Sequence, residues 1–361
     1  MTSFTAESVH FPLNIDLSDS IHIKSFRQVY NVFYSNATLA QLLHEIYVDG
    51  DFVFIDRNVY NIYVNCFTYM NHMMVFDARE DNKTIESSLS LIDKLYETKF
   101  DRRNKMIVIG GGITQDVGGF AAAIYKRGIK WAFIPTTFLS MSDSCIGGKT
   151  SINRKSKNML GVFAAPNAVY ISDNFLLSLS PDDIISGVGE SLKLSLIGGE
   201  RSYRFFIEQY THKNYMNIIK MSSIVKKLII EYDEFDENVR RVLNYGHTIG
   251  HALECASDYF IPHGIAVLIG MYLNNILFYG DKYSDINGLI LDMVCPKYVN
   301  IDFNYSSFIQ HIIYDKKNNG NQVCFIVLED IGKTSVIFKN LEDILEPLQR
   351  IMTQLFVNMN I

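Results

Sequence analysis

The sequence predicts an α/β protein in two parts, an α/β half with a nucleotide-binding turn followed by a mostly helical half, with the change at residue 178. Three observations carry this prediction. The segment Lys105-Met-Ile-Val-Ile-Gly110-Gly-Gly-Ile-Thr-Gln-Asp116-Val-Gly-Gly reads as a buried strand, a glycine turn and a helix rich in small residues. Such a turn lets backbone N–H groups at a helix N-terminus approach a phosphate. At Phe175-Leu-Leu-Ser178-Leu-Ser-Pro181 the composition shifts, and helical patterning follows. Beyond it, Arg240-Arg-Val-Leu-Asn244-Tyr-Gly-His247-Thr-Ile-Gly-His251-Ala-Leu-Glu254 concentrates two imidazoles, a guanidinium and an amide, a set that no packing argument calls for.

Composition sets the outer bounds. A chain of 361 residues is long enough for two domains, placed at 1–178 and 179–361. A hydrophobic fraction of 48% and a charged fraction of 20% are those of an ordinary soluble globular protein. The net charge of −6 argues against general nucleic-acid binding, which favours a basic surface. It leaves room for a small anionic substrate, because local fields decide that. The five cysteines (Cys66, Cys145, Cys255, Cys295, Cys324) are scattered and form no CxxC pair. Neither a disulfide framework nor a cysteine zinc site is expected. The N-terminus has no basic stretch ahead of an apolar core, and no apolar run reaches about 18 residues, so neither a signal peptide nor a membrane span is expected and a cytoplasmic location is the default.

In chain order, residues 1 to about 60 read as strands and one helix. Asp51-Phe-Val-Phe-Ile-Asp56 is a short apolar run ending at Asp56-Arg-Asn58. A strand that ends in an acid or amide is a common ligand contact in α/β folds, and equally common turn chemistry. Glu80 and Lys83 precede an amphipathic helix near residues 84–98 and fit its capping turn. After the glycine turn, Arg127-Gly-Ile-Lys-Trp-Ala-Phe-Ile-Pro-Thr136-Thr137 is a second strand ending in hydroxyls. Asp143-Ser-Cys-Ile-Gly-Gly-Lys149 through Lys157-Asn158-Met-Leu-Gly161 sets glycines among cations, which suits an anion-binding loop. In the second half, Glu190 and Lys193 are three apart on a helix with apolar neighbours. Residues 222–232 and the stretch from Arg240 to Glu254 are read as further helices, and a basic turn at Lys316-Lys317 leads into a strand.

If the organising stretch is helical, His247 and His251 share one face, with Arg240 and Asn244 on or near it. Catalytic zinc takes three protein ligands and keeps one position open. Spacing alone leaves the choice open among Glu190, His247, His251, Glu254 and His263. The HExxH signature is absent, which excludes a zincin peptidase. A nucleotide-binding half beside a metal- and anion-binding half points to redox chemistry on a phosphorylated polyol.

The ordered motifs Gly110-Gly-Gly-x-x-x-Asp116, Arg127-Gly, Pro135-Thr-Thr, Asp143-Ser-x-x-Gly-Gly-Lys149-Thr, Lys157-Asn158-x-x-Gly, Glu190-x-x-Lys193, Arg240-x-x-Leu-Asn-x-Gly-His-Thr-x-Gly-His251, His263-Gly and Asp315-Lys-Lys span roughly residues 50–335. In this set and order the chain resembles the dehydroquinate synthases, within the sugar-phosphate cyclases. The resemblance implies a Rossmann-like NAD-binding domain and a mostly helical domain holding zinc, or cobalt in its place. It implies metal ligation by Glu190, His247 and His263. It implies NAD contacts at Asp56, Asn58, Glu80, Lys83, Gly112, Gln115, Asp116, Thr136, Thr137, Asp143, Lys149, Lys157, Phe175 and Ser178. Substrate contacts are implied at Lys149, Asn158, Lys193, Lys226, Arg240, Asn244, His251 and Lys317 of the Lys316-Lys317 pair, with Arg127 serving the site of a partner subunit in a homodimer.

The implied reaction uses NAD to oxidise a substrate alcohol transiently, which makes β-elimination of phosphate feasible. The hydride is then returned and an aldol step closes a carbocycle. A keto acid phosphate needs a cationic partner for its carboxylate. Lys226 and Arg240 match the family positions that bind it, which favours 3-deoxy-D-arabino-heptulosonate 7-phosphate over sedoheptulose 7-phosphate. The chain departs from the family at three places. Gln115 stands where glycine is usual and is expected to crowd the pyrophosphate turn. Ile265 replaces the glutamate of His-Gly-Glu, and the loop at Arg154-Lys-Ser is one residue shorter. The rival readings are a sedoheptulose 7-phosphate cyclase, a metal-dependent polyol dehydrogenase and a non-catalytic binding protein of the same fold.

Overall fold

A computed structural model describes residues 2–301, 303–314, 318–356 and 359–360. The Lys316-Lys317 pair, and with it the contact expected at Lys317, lies outside them. The chain runs β1 (Thr2–Ala6), β2 (Val9–Leu13), β3 (Ser20–Lys24), β4 (Val29–Ser35), α1 (Leu39–Ile46), β5 (Phe52–Asp56), α2 (Arg57–Ile62), β6 (Met73–Phe76), α3 (Ile85–Glu97), β7 (Lys105–Gly110), α4 (Gly112–Ile124), β8 (Lys130–Pro135), β9 (Lys149–Ile152), β10 (Leu160–Phe163) and β11 (Ala168–Ser172). It continues with α5 (Pro181–Ile197), α6 (Glu200–Thr211), α7 (Tyr215–Tyr232), α8 (His247–Ala256), α9 (His263–Tyr279), α10 (Ser284–Met293), β12 (Phe303–Asn304), α11 (Tyr305–Ile313), β13 (Gln322–Asp330), β14 (Lys333–Asn340), α12 (Leu341–Leu355) and β15 (Met359–Asn360).

Two compact units result, one of Asp16–Leu179 with Tyr215–Ser223, the other of Met1–Ile15, Ser180–Asn214 and Ile224–Ile361. The split differs from 1–178 and 179–361 in two places. Residues 1–15 join the helical unit because β1 pairs with β14 in parallel, Thr5 against Lys333, and with β2 antiparallel. The first half of α7 belongs with the α/β unit. A pairing between the two ends of the chain leaves no trace in local patterning.

The α/β unit is built on a seven-stranded sheet of order β3-β4-β11-β8-β7-β5-β6. Its strands are parallel except β3, which pairs antiparallel with β4 at the edge. All of β5 and nearly all of β7 are buried, as strands covered on both faces must be. The order reverses between β5 and β7, since β6 lies on one side of β5 and β7 on the other. The crevice outside the carboxyl ends at such a reversal is where α/β sheets bind ligands. Helix α4 lies close against the sheet because it presents glycine. A Cβ at Gly118 would sit 2.8 Å from Val108, and one at Gly119 would sit 2.4 Å from Thr150 on β9. The cationic loop region is a β9–β10 hairpin, not an open loop.

The helical unit contains the four-stranded sheet β13-β14-β1-β2. The open edge of β13 is closed by side chains. Thr248 Oγ1 donates to the Cys324 carbonyl (2.9 Å), Asn274 Nδ2 to Ile326 (3.1 Å) and Tyr283 Oη to Leu328 (2.6 Å). Alternate carbonyls of the edge are thus satisfied, which protects it from pairing elsewhere. The segment His263–Met293 is long and apolar enough to pass as a membrane span, contrary to the sequence reading, and 61% of its most apolar window is buried inside the protein. Its first helix, α9, is the core helix of this unit.

Helices α5, α8 and α9 meet backbone to backbone. A Cβ at Gly264 would lie 1.8 Å from the Ser186 carbonyl oxygen, one at Gly270 2.0 Å from Gly246 O, one at Gly189 2.5 Å from Gly264 O and one at Gly250 2.9 Å from Ala266 O. Gly264→Ala should therefore destabilise the protein by about 3 kcal/mol or more. Gly288→Ala, in α10 with nothing within 4 Å, should stabilise it by about 0.5–1 kcal/mol. Urea unfolding of both variants against the parent checks the pair; a Gly264→Ala protein as stable as the parent would mean that α5 and α9 have room to part.

Candidate functional site

The glycine contacts bring four polar side chains of the helical unit to one place. Glu190 on α5 is fully buried. Its Oε1 lies 3.5 Å from Nε2 of His247 and 3.4 Å from Nε2 of His263. That oxygen has no hydrogen-bond partner among the described residues, while Oε2 is in contact with Lys193 Nζ. Each imidazole is held from behind: His247 Nδ1 faces the Tyr245 carbonyl and His263 Nδ1 faces Glu254 Oε2, both at 3.1 Å. Donation from Nδ1 to those oxygens leaves the Nε2 lone pairs aimed at Glu190. Two lone pairs and a carboxylate oxygen facing one another repel unless a cation stands among them. Ligands at ~2.0–2.1 Å from a tetrahedral zinc are roughly 3.3–3.4 Å apart, which is the spacing found. His251 joins the group, with its ligand atom within 4.8 Å of those of His247 and His263. The Glu190 oxygen lies within 3.5 Å of both imidazole nitrogens, so Glu190, His247 and His263 fit a zinc-sized ion, with His251 as the neighbouring imidazole.

Charge follows from the same geometry. Burial alone would raise the Glu190 carboxyl, but the Lys193 ammonium and His263 outweigh it and hold the group well below the usual carboxylate range. Burial would likewise favour neutral His263, but Glu190 and Glu254 push it up to about 9. In the metal-free protein a proton on His263 thus stands in for a metal. Ile265, one turn into α9, is buried in the core. The carboxylate beside His263 is supplied instead by Glu254 from α8.

Arg240 and Asn244 are not on the helix of His247 and His251. They sit on a separate 3-10 turn, Val239–Asn244, and α8 starts only at His247. The break is Gly246, left-handed at φ +77 and pressed by Met271 and the Val267 carbonyl, where a Cβ would find 2.6–2.9 Å. Asp233 shapes the turn by accepting the N–H groups of Glu237, Asn238 and Arg240 at 2.8–3.0 Å. Arg240 is buried and donates from Nη1 to the Glu234 carbonyl, and Lys193 and Lys226 are buried cations of the same unit. Asn244 donates to the Arg241 carbonyl at 3.1 Å.

In the α/β unit the predicted residues gather at the carboxyl ends of the strands. Asp56 caps α2, its Oδ1 accepting from Asn58 N (2.7 Å) and Val59 N (3.3 Å), and burial pushes its carboxyl up. Gly112 opens α4 behind the cap Gly111. Thr136 and Thr137 follow β8, with Thr136 N donating to Gly110 O at 2.9 Å. Lys83 and Asp116 form a 2.6 Å ion pair, with Lys83 buried. Lys83 also donates to Asn158 Oδ1 at 2.6 Å, and Ser151 N to Asp116 Oδ1 at 2.9 Å. Glu80 accepts from Asn153 at 2.8 Å. Glu80 and Lys83 therefore belong to a part-buried polar network and not merely to a helix cap. Asn158, expected at the substrate, lies in this network with φ +54. Lys149 is exposed at the start of β9, Lys157 lies in the hairpin loop, Asp143 in the turn Ser140–Ser144, and Phe175 is buried. Ser178 donates its hydroxyl to Phe175 O (2.9 Å). Arg127 is exposed in a turn with φ +64.

Gln115 does not crowd the glycine turn. Its side chain is buried against Ser144, and its N–H is taken by Gly111 O at 3.0 Å. The sequence reading missed the supports: the Tyr245 carbonyl, Asp233 and Asn153. Glu254 was recognised only as one of five possible ligands. The three-residue step from His251 to Glu254 was the one local signal.

The raised His263 pKa carries a pH dependence. Moving from 6.5 to about 9 on folding, it stabilises the metal-free protein fully below pH 6.5, and that contribution is lost as pH rises through about 9. Zinc must displace this proton. Calorimetric titration of metal-free protein with zinc near neutral pH, repeated in buffers of different ionisation enthalpy, should show about one proton released per metal; zinc binding with no proton release would place the metal elsewhere.

The comparisons with known proteins agree with this layout. Residues 73–186 match the model of the 3-dehydroquinate synthase N-terminal region and residues 187–318 that of the 3-dehydroquinate synthase C-terminal region. The 3-dehydroquinate synthase of Pelagibacter ubique (strain HTCC1062) is 38% identical over 276 residues, 71% of this chain and 75% of that protein. That of Clostridium tetani (strain Massachusetts / E88) is 37% identical over 317 residues, 82% and 84% of the two chains. Among solved structures, 2-deoxy-scyllo-inosose synthase complexed with carbaglucose-6-phosphate, NAD+ and Co2+ has a TM-score of 0.79 at 23% identity, covering 92% of this chain and 99% of the other. The 2-epi-5-epi-valiolone synthase of Streptomyces hygroscopicus subsp. jinggangensis 5008, with NAD+ and Zn2+ bound, has a TM-score of 0.74 at 21% identity, with the same coverage. At such identities the structural likeness speaks for the fold, while the two matched regions and the curated relatives speak for the family. The chain belongs to the 3-dehydroquinate synthase family.

Proposed function

We propose that this chain converts 3-deoxy-D-arabino-heptulosonate 7-phosphate to 3-dehydroquinate and phosphate. The observation that carries the reading is the Glu190–His247–His263 set, in which both imidazoles are oriented from behind and face one carboxylate oxygen. Those three residues would hold zinc, and the residues at the carboxyl ends of β5 to β8 would hold NAD. When bound, zinc polarises a substrate hydroxyl and NAD takes up and later returns a hydride. Lys193, fixed by Glu190, presents its ammonium to a substrate hydroxyl. His251 and Asn244 hold the phosphate that leaves by β-elimination once the adjacent alcohol is at the ketone level. Lys226 and Arg240 face the carboxylate. Both are cations and both are buried, and burying two charges against a neutral hydroxymethyl group would be costly. The relatives at 37–38% identity are named 3-dehydroquinate synthase, which supports the same choice. The reading extends to a homodimer in which the exposed Arg127 serves the neighbouring site.

Because the hydride is returned, no NADH should accumulate. Phosphate release from purified, zinc-loaded protein offered the keto acid phosphate, sedoheptulose 7-phosphate and glucose 6-phosphate in turn tests the substrate. Release from the keto acid alone is expected; release only from sedoheptulose 7-phosphate would replace the proposed substrate, and net NADH formation would mean a polyol dehydrogenase. Arg240→Ala should lower kcat/KM for the keto acid phosphate by ~100–1,000-fold, the loss expected when one partner of a buried charged hydrogen bond is removed; unchanged kinetics would refute the carboxylate assignment.

A further inference from the structure

Gln115 stands where the resemblance implies glycine, and its surroundings show what the side chain does. It lies in the first turns of α4, 2% exposed. Both ends of its amide go to one residue: Nε2 donates to the Ser144 carbonyl and Oε1 accepts from Ser144 Oγ, each at 2.7 Å. Ser144 ends the tight turn Ser140–Ser144, which carries Asp143. The other end of that turn is tied to the end of β8. Thr137 N donates to Ser140 Oγ (3.2 Å), and Ser140 Oγ donates to the Thr137 carbonyl (2.9 Å). A Cβ on Gly112 would lie 3.7 Å from Ser144 Oγ, so the serine stands over the first turn of α4.

Three separate pieces are thus joined into one frame: the Gly110–Gly112 turn with α4, the Thr136–Thr137 end of β8, and the turn bearing Asp143. We infer that Gln115 and Ser144 form a clamp that presets this frame for a dinucleotide, so that Gln115 is a positioning residue for the cofactor and not one of its contacts. The inference rests on the proposed NAD site. Its physical basis is preorganisation: a frame held before binding loses less freedom on binding, and the difference is read as affinity. A glycine at 115 would leave the part-buried hydroxyl and carbonyl of Ser144 without this partner. Once the clamp is broken the Asp143 turn is free to shift relative to the helix N-terminus that faces the phosphates.

The test uses the full-length protein with NAD as the probe. Gln115→Met keeps the length and burial and removes both hydrogen bonds. It should raise the Kd for NAD ~5–30-fold while kcat at saturating NAD stays within about twofold, a split that lost positioning of the cofactor predicts. Ser144→Ala should show part of the effect, and Gln115→Met/Ser144→Ala should be no worse than Gln115→Met, because both act through one contact. Leu91→Ala, a buried core change in α3, supplies a destabilised control whose Kd should match the parent's. A Gln115→Met protein that binds NAD within about twofold of the parent, or a Leu91→Ala control that weakens NAD equally for the same loss in Tm, would overturn the clamp and leave the NAD site standing. A parent protein that binds no NAD would overturn both.

Discussion

The structure depends on helices that touch through their backbones. Gly189, Gly246, Gly250, Gly264 and Gly270 let α5, α8 and α9 approach to distances that a Cβ would forbid. Glycine in a helix weakens it by roughly 0.5–1 kcal/mol relative to alanine, so four inside these helices, with Gly246 at the break before α8, make an expensive arrangement for packing alone. Its return is positional. Glu190 follows Gly189, His247 follows Gly246, His251 follows Gly250 and His263 precedes Gly264. Each chemically active residue is therefore one step from a point where two helix backbones are fixed against each other. Side chains on such points have little freedom to drift, which a metal site with ligand spacing near 3.4 Å requires.

That rigidity has an electrostatic consequence. Glu190 is fully buried yet anionic, because Lys193 on the same helix and His263 on α9 outweigh its burial. Removing one member leaves the others with uncompensated charge, so the group behaves as a unit. The supports come from outside these glycine contacts: Glu254 from the end of α8 and the Tyr245 carbonyl from the turn before it. Tyr245 is itself anchored, its buried hydroxyl meeting Asn275, which in turn donates to Asn287 at 2.9 Å. Orientation of His247 thus runs back through a buried polar chain into α9 and α10.

What was legible in the sequence was local. The strand–glycine turn–helix at Lys105–Ile124, the hydroxyls closing β8, the i,i+3 pair Glu190–Lys193 and the i,i+4 pair His247–His251 each lie within a few residues, where helix and strand periods constrain the answer. The break at Gly246 was not legible, because a glycine inside a helical pattern breaks it only if something presses there, and here Met271 does. The pairing of β1 with β14, the capping of the β13 edge by Thr248, Asn274 and Tyr283, and the Lys83–Asp116 pair all join distant stretches. Gln115 shows the same limit in reverse. A side chain in place of glycine reads as an obstruction until the structure places Ser144 opposite it.

We propose that Glu190, His247 and His263 form one metal site, with His251 beside it but not in it. X-ray absorption at the zinc edge of the reconstituted protein tests this most directly. Two imidazole nitrogens and oxygen donors at ~2.0–2.1 Å are predicted, with one imidazole lost in His263→Ala and none lost in His251→Ala. Three imidazoles in the parent, one of which disappears with His251, would contradict the assignment.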